Sequence, residues 1–159
     1  MTFINKCGDC TACCYTHNAG PVKPKLFTWC KHKTCSGCGI YEERPEGCQV
    51  YSCFWLQTGM TDLKLRPDTL GAVIDVTREF NTPLPVIMFW ETETGDVENS
   101  IGVSRLISHF MDLQKYIVGV FTRNGNFKFL FPHGMTVEEI IKANRMFESF
   151  FGTRVVTAE

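Results

Sequence analysis

The alternation of apolar and polar positions predicts regular secondary structure only beyond about residue 57. Runs of β-branched and aromatic residues predict strands at 72–77 and 86–90, and the second run is apolar on both faces. Two further strands are predicted at 117–122 and 127–131. They flank Asn124-Gly125, which predicts a two-residue hairpin turn because both turn positions favour positive φ.

Apolar residues at helical spacing predict two helices among these strands. The first is predicted over residues 104–116, with Phe110 and Leu113 on its buried side. The second begins at Thr136, where Glu139 three residues later completes a capping-box pattern. The resulting order of elements predicts an α+β fold, in which a small, mostly antiparallel sheet carries two helices on one face.

Composition divides the chain near the same point. All nine cysteines lie within the first 53 residues, and that segment is rich in glycine and proline. It cannot form an apolar core by itself and needs a metal or a cross-link. We therefore divide the chain into a cysteine-rich metal-binding region, residues 1–57, and an α+β region, residues 58–159, and expect the two to pack as one compact unit.

Net charge and hydropathy limit the binding partners and the cellular location that we expect for the chain. The net charge is −1, which argues against broad nucleic-acid binding because that function needs a concentrated basic surface. The sequence has no apolar signal segment near its start and no run of about 18 apolar residues, so we expect no membrane association and a cytoplasmic location. Thiols stay reduced there, and dense cysteines are then interpreted first as metal ligands.

The spacing of the cysteines favours iron–sulfur ligation over zinc. They form three groups: Cys7-x2-Cys10-x2-Cys13-Cys14, Cys30-x4-Cys35-x2-Cys38 and Cys48-x4-Cys53. Successive x2 spacings wrap a loop around one centre, whereas zinc knuckles usually pair two distant Cys-x2-Cys turns. Side chains of neighbouring residues usually diverge, so the Cys13-Cys14 pair is expected to serve two centres. Two four-thiolate centres would use eight cysteines and leave one over.

The segments CGDCTACC, at residues 7–14, and CGIYEERPEGCQVYSC, at residues 38–53, resemble the zinc- or iron-chelating cysteine-cluster family of CxxCxxCC (YkgJ) type. That resemblance covers about residues 7–78. It implies the metal ligands Cys7, Cys10, Cys13, Cys14, Cys30, Cys38, Cys48 and Cys53. Cys35 is then the surplus cysteine, although it could replace Cys30. A relative group, the flagellin lysine methylases, implies that such a set can hold an iron–sulfur cluster.

Three functions follow from these patterns. The favoured one is a metalloprotein with one or two cysteine-ligated centres, [4Fe–4S] before zinc, in a redox or accessory role. The alternatives are a structural zinc module that binds an unknown protein partner, and an enzyme that modifies a peptide or small molecule with a free Cys35 or an open metal site. His32 could replace one thiolate, and His17 is expected to be an ordinary surface or capping residue. Arg44 is expected to fix a turn and to place its guanidinium near carbonyls or sulfurs.

Overall fold

A computed structural model describes residues 5–20, 23, 25–77, 80–151 and 156–157 of the chain. The cysteine-rich part contains only short elements. These are α1 (Ala12–Thr16), β1 (Lys33–Thr34), β2 (Gly37–Cys38), α2 (Glu46–Val50) and α3 (Phe54–Thr58). Strands β1 and β2 pair as a separate antiparallel hairpin. Helix α3 crosses the predicted division between residues 57 and 58, so the chain passes from one part to the other within a helix.

The remainder of the chain forms the main sheet and its helices. A 3₁₀ turn at Leu63–Leu65 precedes α4 (Pro67–Leu70), β3 (Ala72–Thr77), β4 (Val86–Glu91), α5 (Ile101–Asp112), β5 (Ile117–Phe121), β6 (Phe127–Leu130), α6 (Val137–Phe151) and β7 (Val156–Thr157). The five strands are hydrogen-bonded in the order β3-β4-β5-β6-β7. The predicted α+β class is confirmed.

The main sheet is mixed rather than mostly antiparallel. Strands β3 and β4 pair antiparallel, as do β5 and β6, whereas β4–β5 and β6–β7 are parallel pairs. The reason lies in the connections, because α5 joins β4 to β5 and α6 joins β6 to β7. A helix in such a connection returns the chain to the edge from which the preceding strand started, so the two strands run in the same direction.

The two long helices lie on opposite faces of the sheet, so the expectation of helices on one face is wrong. Residues Ile74, Phe89 and Val120 pair across three strands and pack with Phe110 of α5. The neighbouring row of strand residues, which includes Val73, Trp90, Phe121 and Phe129, faces the other way. This row packs against two residues of α6, Ala143 and Phe147, and against four residues of the cysteine-rich part, Ala12, Cys53, Trp55 and Leu56. The sheet therefore has one face that supports the cysteines.

The helix ends follow their capping residues. Helix α5 begins at Ile101 instead of residue 104, because the Ser100 side chain accepts the Val103 N–H at 3.3 Å. It ends at Asp112, and Leu113 is 73% exposed rather than buried as predicted. The capping box of α6 is confirmed. None of the described helices is long and apolar enough to cross a membrane.

The β5–β6 hairpin closes with a three-residue loop instead of the predicted two-residue turn. The Thr122 N–H donates to Asn126 O at 2.9 Å, and the Gly125 N–H donates to Thr122 O at 3.0 Å. Gly125 has φ of 85°, whereas Asn124 keeps a negative φ and its side-chain oxygen accepts the Asn126 N–H at 3.3 Å. This local side-chain bond favours the conformation seen, in which only the glycine needs positive φ.

Candidate metal centre

All nine cysteines lie among the described residues, and all are free thiols. Cys53 is buried, Cys35 is exposed and the others are half-buried. Cys35 lies at the turn between β1 and β2, where Thr34 pairs with Gly37. Its exposure thus distinguishes Cys35 from the eight cysteines that the resemblance implies as ligands.

Backbone hydrogen bonds fold the first cysteine group into a compact loop. The Cys10 N–H donates to Cys7 O at 3.0 Å, and the Cys14 N–H donates to Thr11 O at 2.9 Å. The Cys30 N–H donates to Cys14 O at 3.1 Å. The last of these bonds brings the second cysteine group to the end of the first.

A distant arginine fixes the loop that carries Cys7 and Cys10. The guanidinium of Arg66 binds Asp68 through two nitrogens, at 2.7 and 2.6 Å, and donates to Asp9 Oδ1 at 2.8 Å through a third. Asp9 lies within the Cys-x2-Cys turn, and Arg66 immediately precedes α4. The planar guanidinium therefore joins this turn to the start of α4.

Five cysteines border one cavity of about 370 Å³. They are Cys7, Cys10, Cys13, Cys48 and Cys53. Polar and aromatic side chains complete its wall: Asn5, Lys6, Tyr41, Arg44, Tyr51 and Trp55. These residues lie near the cysteines in the sequence, and the fold brings them together around the cavity.

Most of these thiols are poor acids in the absence of a metal. Burial raises the pKa of Cys7, Cys48 and Cys53, and it raises the pKa of Cys10 to about 11. The charge of Arg44 partly opposes this shift in pKa at Cys7 and Cys48. Because metal ligation requires thiolates, a metal that bound here would displace protons, and low pH would weaken its binding.

The neighbouring thiols Cys13 and Cys14 differ in acidity, because each changes the pKa of the other. A hydrogen bond between the two sulfurs lowers the pKa of Cys14 and raises the pKa of Cys13. The positive charges of Lys23, Arg44 and Lys33 further lower the pKa of Cys14. Cys14 is therefore the cysteine that loses its proton most readily in this pair.

Cationic and N–H groups surround these sulfurs. Lys23 is only 3% exposed, and its ammonium donates to the carbonyl oxygens of His17 and Lys25. The Arg44 guanidinium lies 3.7 Å from the centroid of the Tyr41 ring. Within the described part of the chain, Arg44 Nε and Trp55 Nε1 are buried without a hydrogen-bond partner. Buried donors of this kind normally have an acceptor.

The described residues contain no group of three or more His, Cys, Asp or Glu side chains placed to hold a metal ion. A zinc ion with Zn–S distances of about 2.3 Å requires its sulfurs to lie within about 3.8 Å of one another. Five of the cysteines instead border the cavity, together with the N–H donors of Arg44 and Trp55.

Sequence reasoning missed a partly buried network beside the cavity. His17 is the C-cap residue of α1, in agreement with the expectation of a capping residue, but its ring also bonds to strand β3. His17 Nε2 lies 2.8 Å from Asp75 Oδ2, and the two side chains are 18% and 15% exposed. The same oxygen accepts from Trp90 Nε1 at 3.1 Å and from the Tyr51 hydroxyl at 3.3 Å. The signal in the sequence was Asp75, the one charged residue in the strand AVIDVT.

No family model, curated protein or solved structure matches this chain. The resemblance to the cysteine-cluster family and the ligand set that it implies therefore stay predictions.

Proposed function

We propose that this protein is an iron–sulfur protein and that its cysteine-lined cavity holds a [4Fe–4S] cluster used for electron transfer or redox sensing. The observation that carries the proposal is the convergence of five cysteines, Cys7, Cys10, Cys13, Cys48 and Cys53, on one cavity of about 370 Å³. Thiolates are the usual ligands of such clusters.

The size of the cavity favours a cluster over a single zinc ion. A volume of about 370 Å³ corresponds to roughly twelve water molecules at their share of liquid volume. A four-iron cluster carries its thiolate ligands on separate iron atoms, so its cysteines stand farther apart than those around one zinc ion. Cysteines that border a cavity of this size fit this wider spacing.

The unpaired donors fit a negatively charged group in the same place. Arg44 and Trp55 both line the cavity, and both have a buried nitrogen without an acceptor. Thiolate and sulfide sulfurs accept N–H hydrogen bonds, and such bonds stabilise their charge and raise the reduction potential of a cluster. The sulfurs of a cluster would therefore give these two nitrogens the hydrogen-bond acceptors that they lack.

The residues of this chain have distinct roles in the proposed site. Four of the five cavity cysteines, Cys7, Cys10, Cys13, Cys48 and Cys53, would hold the cluster, which supplies one-electron redox chemistry when bound. Trp55 lies in the wall and limits access of water. The site needs reduced thiols for assembly, so we also propose a cytoplasmic location.

Metal analysis of protein expressed with added iron and purified without oxygen tests the proposal. We expect brown protein with broad visible absorption and equal amounts of iron and acid-labile sulfide. Cys53→Ser should lose the absorption, because Cys53 is the most buried of the cavity cysteines. Cys35→Ser is the matched control and should keep it. Colourless protein that contains zinc under these conditions would refute the cluster and favour a structural zinc module.

A further inference from the structure

An exposed tryptophan is held in one orientation on the surface of the cysteine-rich part. Trp29 is 38% exposed, and its Nε1–H donates to Glu93 Oε1 at 2.9 Å. The centroid of its ring lies 5.2 Å from that of Tyr15, and the ammonium of Lys33 lies 4.5 Å from a ring centroid of Trp29. Three neighbours thus fix a large side chain that still faces solvent. Fixed tryptophans are typical anchors of protein interfaces.

The surface around this ring is positively charged. Its exposed residues, which we call the Trp29 surface, are Lys25, Leu26, Trp29, Lys31 and Lys33. The sequence has no aspartate or glutamate between residues 10 and 41, whereas residues 54–159 carry ten Lys and Arg against thirteen Asp and Glu. Charge is therefore distributed unevenly along the chain. A basic surface on a chain that is otherwise acidic attracts an acidic partner and orients it during the encounter.

The Trp29 surface lies close to a cysteine of the cavity. Trp29 precedes Cys30, whose N–H donates to Cys14 O at 3.1 Å, and Cys14 follows Cys13. This path through the backbone and one hydrogen bond places the Cα atoms of Trp29 and Cys13 at most about 12 Å apart. Cys13 borders the cavity. Electrons tunnel between protein redox groups over such distances without a further cofactor.

A second exposed aromatic residue near the cavity has a different electrostatic setting. Tyr41 is 43% exposed and lines the cavity, but the exposed Glu42, Glu43 and Glu46 follow it closely in the sequence. These carboxylates would repel an acidic partner. A nucleic acid fits the Trp29 surface less well than an acidic protein, because three lysines on a chain of net charge −1 neutralise few phosphates.

We propose that the Trp29 surface is the docking site of an acidic electron-transfer protein, which exchanges electrons with the cluster on the side of Cys13. This inference rests on the proposed iron–sulfur function and names the partner of that site. One electron passes between the partner and the cluster, so that one is oxidised as the other is reduced, and no bond forms or breaks. Trp29 anchors the complex, and the lysines steer the encounter.

Stopped-flow mixing of the anaerobically purified full chain with a plant-type [2Fe–2S] ferredoxin, a small acidic electron carrier, tests this docking site. One protein is reduced and the other oxidised, in the direction that their potentials favour. We expect the second-order rate constant to fall about tenfold between about 0.02 and about 0.5 M salt. At low salt, Lys25→Glu/Lys31→Glu should also lower it about tenfold, and Trp29→Ala should weaken the complex roughly tenfold.

The matched control is Lys142→Glu/Arg145→Glu. It changes the net charge by the same amount, but at exposed positions of α6. Its rate constant should stay within roughly twofold of the wild-type value, because the altered charges lie outside the docking site. Iron content and the visible spectrum should be the same in the wild type and in both charge variants, so that a changed rate reports docking.

The failure of this inference differs from the failure of the proposed function. Protein without iron would overturn both. A chain that holds the cluster but has a salt-independent rate would overturn the docking site alone, and so would a Lys25→Glu/Lys31→Glu variant as fast as the α6 control. Binding of a single-stranded oligonucleotide that this variant loses, combined with a salt-independent ferredoxin rate, would assign the surface to nucleic acid instead.

Discussion

Replacing Asp75 with asparagine is expected to destabilise the junction between the cysteine-rich part and the sheet. One carboxylate oxygen of Asp75 accepts from His17 at 2.8 Å, from Trp90 at 3.1 Å and from Tyr51 at 3.3 Å. His17 directly follows α1, which carries Cys13 and Cys14. The network therefore connects two candidate ligands to strand β3.

The expected loss in the free energy of unfolding can be estimated from these hydrogen bonds. A hydrogen bond to a charged group contributes about 1.5–3 kcal/mol, and one between neutral groups contributes about 1 kcal/mol. Asparagine keeps the shape and one acceptor but removes the charge, so the bonds from His17 and Trp90 each weaken by roughly 1 kcal/mol. Its new amide donors also lie in a mostly buried site. We expect the free energy of unfolding to fall by about 2–4 kcal/mol in total.

Urea unfolding, followed by circular dichroism and tryptophan fluorescence, measures this loss. With a denaturant slope of about 2 kcal/mol per molar, the midpoint should fall by about 1–2 M. The control is Asp112→Asn, an exposed carboxylate at the end of α5, which should change stability by less than about 0.5 kcal/mol.

Two outcomes would refute this reasoning. The first is a midpoint for Asp75→Asn that equals that of the Asp112 control. The second is the absence of coupling in a double-mutant cycle of Asp75→Asn with His17→Ala, since residues joined by one hydrogen bond should not be additive. We also expect Asp75→Asn to retain less iron after dialysis against a chelator, because α1 loses an anchor.

Further predictions concern the core, the sheet and a helix cap. Phe147→Ala should cost about 3–5 kcal/mol and lower the melting temperature, because this fully buried ring stacks on Phe129 at 3.6 Å between centroids. Gly119→Ala should cost about 1–3 kcal/mol in the same measurement, because the new Cβ would lie 2.9 Å from the Phe129 ring. Hydrogen bonds from Thr136 lower the pKa of Glu139 in the folded chain. Its stabilising contribution is complete above the ordinary pKa of a glutamate and disappears as pH falls through the lowered value, so Glu139→Gln should reduce acid-side pH dependence in thermal melts.

Elements defined by local pattern could be predicted closely from the sequence. Strand β3 spans the predicted residues 72–77, and α6 begins with the predicted bonds: the Thr136 N–H donates to Glu139 Oε2 at 2.8 Å, and the Glu139 N–H donates to Thr136 Oγ1 at 3.3 Å. Both depend on residues within one turn or one strand of each other. The parallel pairing of β4 with β5 was not predictable in this way, because it depends on the path of the whole connection through α5.

The candidate site shows the same limit. Cysteine spacing identified the candidate ligands, but it could not separate Cys30 from Cys35, which lie five positions apart in one segment. The hairpin separates them, since it exposes Cys35 at its turn while Cys30 bonds to Cys14. The bond between His17 and Asp75 spans 58 positions, so no local pattern contained it.

Helix α1 shows why the sheet matters to the proposed cluster. It has only five residues, and isolated helices of that length do not form in water because nucleation is unfavourable. Its position depends on Ala12 and Thr16, which are buried, and on the bond of His17 to Asp75. Because Cys13 and Cys14 lie between these anchors, the sheet positions the two sulfurs before any metal binds. A metal that bound at this helix would displace protons from both thiols. The hydrogen bond with Cys13 and the cations Lys23 and Arg44 ease that release at Cys14, because they lower its pKa.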